Sequence, residues 1–373
     1  MRSYERAMKK ILPLALFLLS FLIWRPSASS ATTGFDFLKI GVGARPLALG
    51  EAYVALADDI SGIYWNPAGL VQLSRQEIGF TYNKWFEDIG YHFFGYAHLL
   101  NDSAFALSFY YLGVENIEGN NQESNPTGEF SVYDLAFGFS YSRRLNDRLS
   151  TGLTLKFIKE KLEDEVANAL AFDWGALYKT GIHNLDLGLN IQNMGTKIKF
   201  INEYTSLPLN CKFGLAYKLF SGYPLIFTLD FNKLKNRDIY FSLGAECWIA
   251  DYLAVRVGRK FDPNIDDGLR LGLGLKVENL RLDYAYTPHK IMGDTHQFSV
   301  GFYFGKTEIE KVMIDKEREA RIASLYEEGV AYFNQKQYIQ AIAKFGEILL
   351  LDPENKKALS KMKEANRLLM ERK

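Results

Sequence analysis

Apolar and polar residues alternate along the chain from about Gln76 to Gly305. Because successive side chains of a β-strand point to opposite sides, such a segment has one apolar face and one face of small or polar residues. Gly268–Val277 shows the pattern, since its leucines alternate with Arg270, Lys276 and two glycines. Segments of this kind number fourteen, and they are centred on Phe80, Gly95, Leu107, Phe137, Leu155, Trp174, Leu189, Gly214, Thr228, Ser242, Val255, Leu273, Tyr284 and Val300.

The connections between these segments are of two kinds. Asn146-Asp147 and Glu278-Asn279 are tight polar turns, whereas Val114 to Phe130 and Thr196 to Leu207 are longer connections. Strands of about ten residues, joined by short turns on one side and longer loops on the other, are typical of membrane-spanning β-barrels. The pattern predicts an all-β transmembrane barrel of about fourteen antiparallel strands over residues 76–305.

A soluble β-sandwich is the competing interpretation, because its strands also alternate. A sandwich exposes long charged side chains, but the second face here is mostly Gly, Ser, Thr and Ala, with charges of both signs. The final segment, Gln297–Phe304, alternates polar, small and aromatic residues in the manner of closing strands of outer-membrane barrels. Aromatic residues near segment ends are compatible with membrane girdles. They include Tyr217, Tyr240, Trp248, Tyr252 and Tyr303.

Residues 1–31 are predicted to be a secretory signal peptide. A basic start is followed by the apolar run Ile11–Ile23 and by small residues near Ala31, where we expect cleavage. The run of thirteen residues is short for a bilayer span, although an uncleaved anchor is the alternative. The full chain has 44 basic and 44 acidic residues. The predicted signal peptide carries five of the basic residues and one of the acidic residues, so its removal leaves 39 and 43 and a net charge of −4.

The composition of the chain gives no support to several classes of function. No run of 18 apolar residues follows the signal, and the charge gives no indication of nucleic-acid binding. Cys211 and Cys247 are expected on strands that are not neighbours, which favours free thiols over a disulfide. No metal, cofactor or enzyme motif is recognisable. The histidines occupy ordinary strand or loop positions, namely His92, His98, His183, His289 and His296.

Gly34 to Leu70 is rich in glycine and too irregular for one regular element. Gly50 to Asp59 is expected to form a short helix that Gly62 ends. Asn66-Pro67 and Ala68-Gly69 have the composition of turns. The whole stretch resembles the amino-terminal signature of the PorV/PorQ family of outer-membrane proteins, a branch of the FadL-like barrels.

The resemblance implies a hatch over residues 32–75, folded inside a fourteen-strand barrel. Asn66, Pro67 and Ala68 match the NPA turn of that hatch. A barrel of this width leaks water unless its lumen is filled, and buried charges need partners, so we expect paired networks. These charges either only hold the hatch or also bind a ligand. Besides the NPA turn, the candidate site residues are Arg45, Asp58, Asp59 and Gly69 of the hatch, and the lumen charges Lys156, Glu246, Arg256, Arg270, Lys276, Arg281 and Asp283.

After Phe304 the apolar period changes from two to about 3.6 residues, which predicts a helical module over residues 306–373. Residues 307–335 form one long expected helix, followed by helices over 338–350 and 355–372. The module resembles a tetratricopeptide repeat in the spacing of Gly329, Tyr332, Ala341, Phe345 and Pro353. One repeat cannot bury its own apolar face, so it is expected to pack on its last helix, a second copy or a partner, unless it is only a solubilising tail.

Three non-enzymatic functions remain. The resemblance implies a barrel that assists protein secretion or surface attachment of the type IX kind, with the repeat as a docking module for envelope proteins. A FadL-like channel for hydrophobic small molecules is the alternative, and a structural envelope scaffold is the third. An even strand number places both barrel ends in the periplasm, so we expect the module there. The inferred lumen face is small and charged, with few large apolar groups, which favours secretion.

Overall fold

A computed structural model describes residues 33–84, 89–120, 126–163, 165–182, 184–200, 203–221, 223–263, 268–289 and 293–371. The predicted signal peptide and His183 lie outside the described residues. The chain divides into two compact units, the first ending at Gly305 and the second beginning at Lys306.

The first unit is a closed β-barrel of fourteen strands. Each strand pairs antiparallel with both neighbours, and the first strand, β1 (Gln76–Lys84), closes the ring by pairing with the last, β16 (Gly293–Phe304), from Gln76↔Phe304 to Lys84↔His296. A sandwich leaves open sheet edges, so the barrel prediction is confirmed. A separate sheet of two short strands, Ile198–Phe200 and Glu203–Thr205, lies in the connection between the seventh and eighth strands of the barrel. The strands are β1 Gln76–Lys84, β2 Gly90–Leu100, β3 Ser103–Asn120, β4 Pro126–Arg144, β5 Leu149–Leu162, β6 Glu165–Lys179, β7 Leu185–Gly195, β8 Ile198–Phe200, β9 Glu203–Thr205, β10 Asn210–Ser221, β11 Tyr223–Leu234, β12 Tyr240–Ile249, β13 Leu253–Phe261, β14 Arg270–Val277, β15 Leu280–His289 and β16 Gly293–Phe304.

Apolar side chains cover the outside of the barrel. Along β1, burial alternates residue by residue, and the same alternation runs through β13 and β15. Phe157 remains 54% exposed and Leu273 52% exposed on the outward face. A continuous exposed apolar wall of this kind is stable in lipid and would aggregate in water.

The two longer connections have different outcomes. The longer connection expected from Val114 to Phe130 is wrong in its bounds, because β3 and β4 continue pairing, with two register shifts, as far as Asn120↔Pro126. The connection from Thr196 to Leu207 contains the small β8–β9 hairpin. Each of its strands has only three residues, which is too short for an alternation pattern to be recognised in the sequence. The tight turns at Asn146-Asp147 and Glu278-Asn279 are confirmed.

The amino-terminal segment, residues 33–75, contains four short helical turns. These are 3₁₀ turns at Asp36–Lys39 and Pro67–Gln72, and α-helices α1 (Ala44–Ala48) and α2 (Gly62–Trp65). The expected helix from Gly50 to Asp59 is wrong: φ is +68° at Gly50, +70° at Glu51 and +29° at Ala57, whereas an α-helix needs about −60°. Gly62 begins α2 and does not end a helix.

The second unit is three helices: α3 (Glu308–Asn334), α4 (Tyr338–Leu351) and α5 (Lys356–Met370). Asn355 caps α5, because its Oδ1 accepts a 3.0 Å hydrogen bond from the Ala358 N–H. Among the described residues no helix is long and apolar enough to cross a bilayer. A small core holds the helices together and consists of Leu325, Ala341, Phe345, Ile348, Ala358 and Ala365.

Candidate functional site

The amino-terminal segment runs through the barrel from one mouth to the other. At its start, the Gly34 N–H donates a 3.3 Å hydrogen bond to the Ser206 carbonyl, in the long connection between β7 and β10. Near its end, Arg144 Nη2 donates a 3.1 Å bond to the Val71 carbonyl, beside the short turn between β4 and β5. The segment therefore enters at the mouth with the long connections and leaves at the mouth with the short turns.

Inward-facing glycines let the wall touch the segment. A Cβ added at Gly258 would stand 2.1 Å from the Gly50 nitrogen, and one at Gly152 would stand 2.4 Å from the Pro67 carbonyl carbon. Both neighbours are backbone atoms, which cannot swing aside. Any larger residue at these positions would push the segment away from the wall. The inward glycines at which an added Cβ would stand within 3 Å of a backbone or side-chain atom of the segment lie on nine strands and are Gly79, Gly95, Gly152, Gly175, Gly188, Gly214, Gly244, Gly258 and Gly272.

Arg45 of α1 is the centre of a buried ionic network. Its Nε and Nη2 each donate a 2.7 Å hydrogen bond to the two carboxylate oxygens of Glu246 on β12. Arg256 Nε donates a 2.6 Å bond to the same carboxylate and reaches Asp283 through Nη1 at 2.7 Å. A planar guanidinium matches a carboxylate in two parallel bonds, so this contact fixes the direction as well as the position of α1.

Asp59 carries the network to a second part of the wall. Its Oδ2 lies 3.3 Å from Arg45 Nη1 and 3.1 Å from Arg281 Nη2, and it accepts a 2.7 Å bond from the Tyr53 hydroxyl. Arg281 also contacts Glu77 at 3.2 Å, and Glu77 Oε2 accepts the Ile60 N–H at 3.1 Å. Buried charges are stable only when paired and hydrogen-bonded, and this cluster meets that condition by joining segment and wall.

A second set of contacts holds the middle of the segment. Glu51 binds Lys260 at 3.0 Å and Arg270 at 2.9 Å, both on the barrel wall. The Asp230 carboxylate accepts the backbone N–H groups of Tyr53 at 2.7 Å and Val54 at 2.9 Å. These two backbone N–H groups therefore form their hydrogen bonds with a side chain of the barrel wall, so the conformation of the irregular stretch depends on the barrel.

The Asn66-Pro67-Ala68-Gly69 turn is fixed by its own amide. Asn66 Nδ2 donates to the Val54 carbonyl at 2.8 Å and to the Ala176 carbonyl of β6 at 3.1 Å. Its Oδ1 accepts the Ala68 N–H at 3.1 Å, and Pro67 begins the 3₁₀ turn where no donor is needed. Gly69 leaves no room for a Cβ, which would meet the Ala57 carbonyl at 2.0 Å.

The predicted lumen residues therefore fall into three groups. Lys156 is buried and pairs with two wall residues, with Asp173 at 2.8 Å and with the Asn193 side chain. Lys276 is exposed, with its ammonium 5.9 Å from the Tyr303 ring centre. The network between segment and wall is formed by Arg45, Asp58 and Asp59 of the segment and by Glu246, Arg256, Arg270, Arg281 and Asp283 of the wall.

Sequence reasoning missed four participants. Glu77 shares the inward parity of Gly79 on β1, so strand alternation could have identified it. The same parity argument applies to Asp230 and Lys260 on their strands. Glu51 carries no such signal, because its position depends on a left-handed backbone in an irregular stretch.

One side of the lumen is apolar. Tyr91, Phe93 and Tyr110 on β2 and β3 are buried in one cluster with Phe35 and Phe37 of the segment. The expectation of few large apolar groups in the lumen is wrong for this side. The wall charges that contact the segment stand mainly on β10 to β15 and β1, so the segment has an aromatic contact on one side and an ionic contact on the other.

The helical unit brings together the predicted repeat positions. Ala341 and Phe345 of α4 are fully buried, and Tyr332 packs against them. A Cβ at Gly329 of α3 would stand 2.7 Å from the Phe345 ring, so the two helices cross at this glycine. Pro353 lies in the turn between α4 and α5. Apolar residues remain outside this core: Leu350 is 85% exposed and Ile339 is 67% exposed.

The two cysteines are free thiols. Cys211 lies on β10 and Cys247 on β12, and β11 separates them, as expected. Across the described residues, no cluster of metal-ligating side chains occurs.

The family comparison matches the amino-terminal segment and the first two thirds of the barrel. The sequence model of the family "Type IX secretion system protein PorV" matches residues 26–237, which is more than half of the chain. The chain belongs to the PorV family. A UPF0164 protein of Treponema pallidum (strain Nichols) is 22% identical over 356 residues, which cover 88% of this chain and 81% of that protein.

Solved structures show the same barrel fold at low sequence identity. The Ralstonia pickettii toluene transporter TbuX superposes with a TM-score of 0.54 and 13% identity, over 71% of this chain and 99% of that one. The P. putida toluene transporter TodX gives a TM-score of 0.51 and 12% identity, over 71% and 99%. The PorV-family chain is thus an outer-membrane β-barrel with a FadL-like fold, and its apolar outer wall contacts lipid. These relatives are named as secretion or transport proteins and not as enzymes.

Proposed function

We propose that this chain assists protein secretion or surface attachment across the outer membrane, in the manner of type IX secretion. The family match carries the proposal, because it covers both the lumen-filling segment and the strands around it. In this role the barrel is a binding platform in the membrane and does not itself conduct its cargo. The filled lumen supports that part, since inward glycines on nine strands contact the segment.

The amino-terminal segment acts as a hatch in this proposal. Residues 1–31 are the signal peptide, 32–75 the hatch, 76–305 the barrel and 306–373 the helical module. Two guanidinium groups, those of Arg45 and Arg281, link the hatch carboxylate of Asp59 to wall carboxylates, and Arg256 joins two carboxylates within the wall. Breaking such a network exposes uncompensated charges, so the hatch stays closed unless a partner supplies replacement contacts.

The helical unit is a periplasmic docking module of the tetratricopeptide type in this proposal. Gln76 pairs with Phe304, so the barrel begins and ends at the mouth with the short turns. In outer-membrane barrels short turns face the periplasm. Exposed Leu350 and Ile339 supply apolar surface for an envelope protein or an exported peptide.

A channel for hydrophobic small molecules is the second candidate. The apolar side of the lumen favours it, because Tyr91, Phe93 and Tyr110 would line a hydrophobic path if Phe35 and Phe37 moved away. The solved toluene transporters share the fold alone at 12–13% identity. The buried ionic contacts on the opposite side argue against this candidate, since a hydrophobic solute does not replace ion pairs.

The test compares surface and culture-medium proteins of a clean deletion strain with those of its parent. Loss of a set of exported proteins, with their retention in the periplasm, supports the secretion role. An unchanged set of exported proteins together with reduced uptake of a hydrophobic compound supports the channel. Complementation by the full chain and by a chain that stops after Gly305 then separates the barrel's part from that of the helical unit. If neither readout changes, the chain is a structural scaffold.

A further inference from the structure

The outer wall of the barrel has an open groove across β3 to β6. Its volume is about 550 Å³. Most of its surface is apolar, and polar groups occur only towards the mouth with the long connections. The residues that line it are Phe109, Leu135, Ala136, Phe137, Phe157, Ile158, Lys159, Asn168, Ala169, Leu170 and Thr196.

The strand register explains the shape of this groove. Ala136, Ile158 and Ala169 pair side by side and are buried, so their side chains point into the barrel and only their backbone floors the groove. The next row towards the short turns is Phe137, Phe157 and Leu170, which forms an apolar wall. The opposite wall, nearer the long connections, is the row Leu135, Lys159 and Asn168.

Two positive charges stand at the polar side of the groove. Lys159 and Lys161 both have the outward parity of β5, and each ammonium lies 5.9 Å from the centre of the Tyr133 ring. Within the part of the chain that the structure describes, no carboxylate pairs with either lysine. Glu160, between them in sequence, has the inward parity of β5, so its side chain lies on the opposite face of the strand. The pair is therefore a net charge of +2 at the edge of an apolar groove.

We propose that this groove binds an anionic phospholipid. An acyl chain lies along Phe137, Phe157 and Leu170, and the headgroup phosphate lies between Lys159 and Lys161. Long lysine side chains reach the headgroup level from an apolar surface, and basic residues there attract anionic lipid. Asn168 and the Tyr133 hydroxyl supply neutral donors beside the phosphate. A zwitterionic lipid fits less well, because its own cation would repel the two ammonium groups.

The test is lipid binding to the purified full chain by native mass spectrometry. Phosphatidylglycerol and phosphatidylcholine with identical acyl chains are titrated against the parent protein and a K159Q/K161Q variant. We expect the parent to prefer phosphatidylglycerol and each lysine to contribute about fivefold to that preference. A matched control, K179Q/K276Q, removes two exposed lysines at the other end of the strands and is expected to keep the preference.

A second variant tests the apolar half of the site. Leu170→Trp fills the groove while leaving both lysines in place, and it should weaken binding of both lipids. Equal binding of the two lipids by the parent would overturn the proposal. So would an unchanged preference in K159Q/K161Q, or an equal loss in K179Q/K276Q, which would indicate a general charge effect.

Discussion

Arg45 and Glu246 are 201 positions apart in the chain and form two parallel hydrogen bonds of 2.7 Å inside the barrel. The contact links the first helix of the amino-terminal segment to β12. Both side chains are buried, so neither can exchange its partner for water. The segment and the barrel are therefore folded as one unit, and the stability of each depends on this pair.

Arg45→Ala should destabilise the barrel by about 3–5 kcal/mol, the typical cost of removing one partner of a buried ion pair. Asp58 and Asp59 lose a cation as well. Guanidinium-induced unfolding in detergent micelles measures the difference. Arg45→Lys should recover only part of it, since an ammonium cannot form two parallel bonds. Lys179→Ala, at an exposed position, serves as the control and should stay within about 0.5 kcal/mol. A fully stable Arg45→Ala protein would contradict the anchoring role.

Two glycines of the helical unit should respond in opposite ways to the same change. Gly329→Ala places a methyl group 2.7 Å from the buried Phe345 ring, so it should lower the melting temperature of this unit. Gly346→Ala meets nothing within 4 Å and should stabilise α4 by about 0.5–1 kcal/mol, because alanine favours a helix over glycine. Circular dichroism at 222 nm follows the helices of the full chain. Stabilisation by both changes would show that α3 and α4 do not cross at Gly329.

The helical unit should also show a small acid sensitivity. A hydrogen bond from Lys344, 2.9 Å long, lowers the pKa of the Glu328 carboxyl below its ordinary value. The contribution of this hydrogen bond to the stability of the unit is therefore fully present above the pKa of Glu328 in the unfolded chain, about 4.3. It disappears as pH falls through the lower pKa of Glu328 in the folded chain. The melting temperatures of the parent and of Glu328→Gln should differ at pH 7 and converge by pH 3. A constant difference would contradict the pairing.

The direction of the amino-terminal segment can be tested by labelling. Thr33 forms a bridge with Ser206 at the mouth with the long connections, whereas Asp147 lies in a short turn at the other mouth. In a background with both native cysteines replaced by serine, Thr33→Cys should react with a membrane-impermeant maleimide on intact cells. Asp147→Cys should react only after the outer membrane is permeabilised. The reverse pattern would invert the orientation of the barrel.

Alternation predicted the strands, because all fourteen predicted segment centres fall within barrel strands. It failed where contacts between distant parts of the chain determine the backbone conformation. The backbone from Gly50 to Ala57 takes positive φ at three residues, and its donors bind Asp230 of the wall. No local pattern encodes a conformation that a distant strand stabilises. Likewise, strand parity marks Glu77 as inward, but only the folded segment shows that it binds Arg281 and Ile60.

The most direct test of the closed barrel is its electrical conductance in a planar lipid bilayer. The parent should give no steady current, because the segment fills the lumen. Gly258→Leu should open a measurable conductance, since a Cβ there would stand 2.1 Å from the Gly50 nitrogen and displace the segment. Gly181→Leu should remain silent, because a Cβ there meets only the Arg148 guanidinium at 3.9 Å. A steady ohmic current through the parent protein would contradict the account, since it would require an open water-filled channel beside the segment.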